Sequence, residues 1–202
     1  MHGLIYRTLQ TFVQDSYGPA RWLEVGKRAG LETPEFEAML FYDPGLYDAL
    51  LRATESVLGV PQDMLLEDVG TYLVSHPNCE VPRRLLRFGG VDFVEFLYSL
   101  EDLSERARLA VADLHLPDLE LRDHTQNAFV LRSTGDLPGF GHVMIGVLRA
   151  MADDYGALVL LDYQRRTGRV ESVEISLVET RFAEGRDFTL GQGPVDGARE
   201  AG

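Results

Sequence analysis

Residues 89–117 read GGVDFVEFLYSLEDLSERARLAVADLHLP, and they separate two kinds of sequence pattern. Phe93, Phe96, Leu97, Leu100, Leu103, Ala107, Ala110 and Val111 recur three and four residues apart, so on a helix they share one face. That spacing predicts one long amphipathic helix running to about Asp113, closed off before Pro117. Everything before it carries helical periodicity. Everything after it alternates as strands do.

Working back toward the N-terminus, residues 2–17 place Leu4, Ile5, Leu9, Phe12 and Val13 on one stripe, and Tyr17-Gly18-Pro19 closes it. Further helices are predicted over 20–29, over 44–58 after Asp43-Pro44, and over 61–76 after Pro61. Residues 31–44 read as a connection. Residues 79–89 read as a short helix or an irregular segment.

Working forward, LPDLELR (116–122) and AFVLRS (128–133) read as strands flanking the turn-type cluster 123–127. GHVMIGVLRAMADDYG (141–156) has helical spacing. ALVLLDYQ (157–164) and RVESVEISLVE (169–179) are strands joined across Arg165-Arg166-Thr167-Gly168, a hairpin signal. The fold class is therefore α+β: a helical N-terminal lobe, then an antiparallel sheet with one inserted helix. The expected limits are 1–182 for the folded domain, with about 1–88 as the helical lobe and 89–182 as the long helix plus sheet lobe. A flexible tail is expected over 183–202.

The length, 202 residues, suits one domain or two small ones and allows a large core without metal or disulfide support. A single cysteine, Cys79, rules out an intramolecular disulfide, and no apolar run is long enough to span a membrane. The start lacks a signal peptide's pattern, so a cytoplasmic location is expected. The formal net charge of −13 argues against nucleic acid and against anionic lipid as partners. It reads as a solubility device or as an acidic face for a basic partner.

No phosphate-binding loop, GxSxG elbow or HExxH pair occurs. The five histidines do not pair at helical spacing, and His76 with Cys79 makes half a zinc site at most. Neighbouring carboxylates such as Glu101-Asp102 and Asp153-Asp154 do not face one another on a helix. No catalytic residue and no metal ligand set is expected, so the chain is read as a non-enzyme.

The opening Met1-His2-Gly3-Leu4-Ile5 resembles the M-x-G start of the haem nitric-oxide/oxygen-binding (H-NOX) domains. The likeness continues through Tyr17-Gly18, through Leu66-Glu67-Asp68-Val69-Gly70, and through the helix ending before Pro117. It ends with the strand–strand–helix–strand–strand order, and covers roughly residues 1–180. Order and length together carry it, rather than any one motif.

In that family a histidine on the long helix ligates haem iron, and a proline lies thirteen residues later. Pro117 matches the proline, and the histidine's position holds Ser104, a poor iron ligand. The family's Tyr-x-Ser-x-Arg propionate clamp corresponds to Leu131-Arg132-Ser133-Thr134-Gly135, with only the serine in place. The resemblance implies a sensory, ligand-binding domain that does not hold haem in the usual way. Its pocket is expected from Leu4, Ile5, Leu97, Leu100, Ser104, Pro117, Leu131 and Ser133. It would take a small hydrophobic or amphipathic ligand and signal through a partner protein. The alternative is a haem-binding nitric-oxide sensor whose iron is held by His115 or lacks a proximal ligand.

Overall fold

The change of pattern near residue 117 becomes a change of architecture. The structure, a computed structural model, describes residues 1–87, 90–183 and 185. Five helices come first: α1 (Gly3–Tyr17), α2 (Pro19–Arg28), α3 (Gly45–Leu58), α4 (Gln62–Ser75) and α5 (Glu80–Arg87). Tyr6, Trp22, Leu50 and Leu65 centre their core and are fully buried. The first half of the 31–44 connection is held by side chains. The Gln10 amide donates to Glu35 and accepts from Phe36 N, and the Trp22 indole donates to Pro34 O.

The sheet lobe contains β1 (Asp118–Thr125), β2 (Ala128–Thr134), β3 (Leu158–Thr167) and β4 (Val170–Glu179) in the order β1-β2-β4-β3, with every neighbour antiparallel. Alternation does its work here. Phe129, Leu131 and Ser133 face inward from β2, in register with Ile175, Val173 and Glu171 of β4. This is the α+β order that the periodicity predicts. The tail beyond Gly185, and Phe88 and Gly89 before the long segment, lie outside the described residues. Among the described residues, no helix is long and apolar enough to cross a membrane.

The long helix is not continuous. It forms α6 (Phe93–Ser99), a 3-10 turn (Leu100–Asp102) and α7 (Leu103–Ala110), which stops before Asp113. Asp92 starts α6 by accepting from Glu95 N at 2.9 Å, while Glu95 reaches back to Val91 N. The break follows from Arg106. Its guanidinium donates to Ser99 O at 2.6 Å and to Leu85 O at 2.9 Å, drawing a carbonyl out of the helical ladder. Burial pulls the Arg106 pKa below its ordinary value. The apolar face survives the kink from Phe93 to Ala107, but Ala110 is exposed.

The remaining helix, α8 (Phe140–Tyr155), packs on the sheet and crosses α4 with backbone against backbone. A Cβ on Gly70 would run into the Val143 carbonyl, and one on Gly146 into the Glu67 carbonyl. Glycine at both crossings is what allows the lobes to meet so closely. No side chain of its own caps α8. The buried Glu171 carboxylate of β4 does so across space, accepting from Gly139 N at 2.8 Å and Gly141 N at 2.6 Å.

Candidate functional site

The start of α1 is tied down by the 40–42 segment: Gly3 N donates to Leu40 O, Tyr42 N to Met1 O, and Met1 N to Tyr42 O. This pairing holds His2 and Ile5 over α7 and over the chain leading into β1. Between them lies a cleft of about 490 Å³. Its far wall comes from Thr134 to Leu137 and from Arg169, whose guanidinium is bonded to Asp136 at 2.6 Å.

Ile5, Ser104 and Pro117 line this cleft, and so does His115. Pro117 is buried against Gly135, where a Cβ would lie 2.9 Å from the proline ring and backbone. Ser104 is 5% exposed and its hydroxyl donates to Leu116 O at 3.4 Å. The other expected wall residues sit elsewhere. Leu97 and Leu100 are 0% exposed in the core beneath the sheet, and Leu131 is buried with them. Ser133 is buried on the inner face of β2, and Leu4 is half-buried; neither lines the cleft. His115 is exposed at the rim.

A second, smaller chamber of about 110 Å³ lies behind the first, walled by Leu9, Leu66, Val69, Phe140 and Val143 among others. Ile5, Leu116 and Leu137 line both spaces and form the neck between them. Tyr47 contributes the chamber's one phenol, and burial raises its pKa, so the hydroxyl stays neutral.

His2 is a site residue that sequence spacing does not single out. It is 4% exposed and caps α1, its Nδ1 accepting from Leu4 N at 3.2 Å. Its Nε2 is buried with no hydrogen-bond partner. An acceptor Nδ1 places the proton on Nε2, so the outer edge of the ring is an N–H donor without a free lone pair.

These groups do not fit a haem iron. Ser104 offers only a neutral hydroxyl, a far weaker iron ligand than an imidazole, and the protonated Nε2 of His2 has no lone pair to give. The clamp positions hold buried Leu131 and a glycine, and Arg132 points outward to Glu120. Among the described residues, no three His, Cys, Asp or Glu side chains gather as a metal site requires.

Comparison with known proteins agrees on the fold. The profile of the family described as Haem-NO-binding matches residues 2–161. Soluble guanylate cyclase gcy-31 of Caenorhabditis elegans is 27% identical over 154 residues, covering 76% of this chain and 22% of the relative. Guanylate cyclase soluble subunit beta-2 of Rattus norvegicus is 25% identical over 143 residues, covering 66% and 21%. The chain thus spans about a fifth of the length of the cyclases it resembles. Among solved structures, the unliganded Fe(II) H-NOX protein from K. algicida superposes with a TM-score of 0.73 at 18% identity, covering 89% of this chain and 97% of that one. The Fe(II)NO form of an H-NOX protein from S. oneidensis gives 0.70 at 16%, covering 88% and 99%.

Proposed function

This chain belongs to the haem-NO-binding family, and from that premise we propose that it is a sensory domain whose cleft takes a small amphipathic ligand in place of haem. The observation that carries this reading is Ser104. It stands thirteen residues before Pro117, bonded back to Leu116 O, beside a cleft of about 490 Å³. That volume is of the order of small-molecule pockets, and Ser104 supplies no imidazole beside it. The relatives that match are soluble guanylate cyclases, proteins several times longer than the matched region. By analogy, ligand binding here changes the state of the cleft walls, and a partner protein reads that state.

Signalling of this kind needs the ligand to prefer one conformation. The α4–α8 crossing is packed too tightly to slide, so the moving parts are the walls away from it: α7, the 111–117 segment and the 40–42 segment. Thermal-shift measurements with amphiphiles of one chain length and varied head groups test the reading. A ligand at a hundred times its Kd stabilises the folded state by about 2.7 kcal/mol. The expected result is stabilisation by at least one amphiphile, abolished by Ile5→Trp, which fills the neck. No stabilisation by any of them would count against it.

The second reading, a haem-based nitric-oxide sensor, is favoured by one observation: His115 lines the same cleft. It requires His115→Ala to abolish iron ligation in protein loaded with haem.

A further inference from the structure

We infer that the ligand of this cleft is a carboxylate with a short aliphatic tail, its head group bound by His2 Nε2–H and its tail passing the Ile5–Leu116–Leu137 neck. The inference rests on the amphipathic-ligand reading above and specifies its chemistry.

The head group follows from His2. A buried N–H without a partner is costly and rare in folded proteins. Nδ1 is committed to the backbone of α1, so the unused nitrogen is a fixed donor that calls for an acceptor. The same residue is the N-cap of a fifteen-residue helix, whose N-terminus carries partial positive charge. Arg108 also lines the cleft, and no described residue pairs with it. The cleft's carboxylates are Asp113, Asp118 and Asp136. Asp136 is bonded to Arg169, and Asp113 and Asp118 are exposed. A donor that cannot switch to acceptor, a helix N-terminus and a guanidinium with no partner among the described residues together select an anion with oxygen acceptors. The exposed ring of Phe41 lies edge-on to the imidazole, with centroids 5.3 Å apart, and is the neighbour that yields as the head group reaches Nε2.

The tail follows from the neck. The chamber behind it is small, at about 110 Å³, and is walled almost wholly by aliphatic and aromatic side chains. Such a lining accepts an aliphatic group more readily than a polar one. A short, flexible aliphatic chain suits a space of this size entered beside Ile5, Leu116 and Leu137.

Isothermal titration calorimetry of the whole chain with octanoate, octanamide and octylamine tests the assignment. Octanoate is expected to bind, and octylamine is expected not to. His2→Asn is the informative variant. Asparagine is itself a strong N-cap, so folding is retained while the imidazole donor is lost. Octanoate affinity should fall about tenfold with Tm little changed. Arg108→Ala should weaken octanoate about threefold, and less so at high salt. Octanamide binding as tightly as octanoate, or His2→Asn leaving affinity unchanged, would overturn the head-group assignment while leaving the amphipathic-ligand reading intact. If none of the three binds and none stabilises the fold, both are overturned.

Discussion

The Ser104 hydroxyl reaches across 3.4 Å to the Leu116 carbonyl, the residue just before the proline that closes the segment. One hydrogen bond thus joins α7 to the chain entering β1 at the residue we propose replaces an iron ligand. At 3.4 Å it is longer than an ordinary O–H···O bond, so it acts more as a tether than as a strong clasp. Ser104→Ala should therefore cost about 1 kcal/mol or less in urea denaturation. A loss of several kcal/mol would mean that the tether matters far more than its length indicates.

The α4–α8 crossing should be much less tolerant. At Gly146 an added Cβ meets the Glu67 backbone, not a side-chain tip that could swing aside. Gly146→Ala should destabilise by about 3 kcal/mol, since neither helix can back away without opening the interface between the lobes. Arg149→Ala, which removes an exposed ion pair to Glu67 at 2.9 Å on the same crossing, should change stability by less than about 1 kcal/mol. Comparable losses in the two variants would argue against backbone contact as the cause.

Glu171 should behave as a displaced helix cap. Glu171→Ala leaves the N–H groups of Gly139 and Gly141 without their acceptor and should cost about 3 kcal/mol. Glu171→Gln keeps one acceptor oxygen and should recover a substantial part. Equal losses from the two substitutions would contradict a capping role.

Acid should weaken the α1–α4 contact. Hydrogen bonds from the Tyr72 hydroxyl at 2.6 Å and the Asn78 amide at 2.9 Å hold the Asp15 carboxyl below the usual carboxylate range. A pKa lowered by folding stabilises the folded state above the unfolded value of about 4 and is lost as pH falls through the lower native value. Stability followed by denaturation at stepped pH should fall more gently below pH ~4 in Asp15→Asn than in the parent. An identical acid slope would remove Asp15 from the explanation.

Much of the fold is legible in the residue pattern because its punctuation is local. Gly18-Pro19, Pro44, Pro61 and the hairpin at 165–168 each mark a boundary by their own backbone chemistry, and the period changes from helix to strand near Pro117. The kink at Leu100 is not legible. Arg106 makes it by reaching Ser99 O and also Leu85 O, and the second contact spans 21 residues. The site divides the same way. Ser104 and Pro117 are singled out by the thirteen-residue spacing that the family resemblance implies. Leu97, Leu100 and Leu131 carry the same apolar signal whether they face a core or a cavity, and they face the core. His2 has no sequence partner at all. Its role arises only when the start of α1 docks on residues 40–42 and buries one ring nitrogen. The hint present in the sequence is its place as the residue immediately before the first helix.

The most direct test of the proposal that this domain does not hold haem is a titration of the purified chain with ferrous haem, read by absorption. The expected spectrum equals that of free haem plus protein at every ratio, with no protein-bound Soret band. A stoichiometric Soret band, present in the parent and lost in His115→Ala, would contradict it.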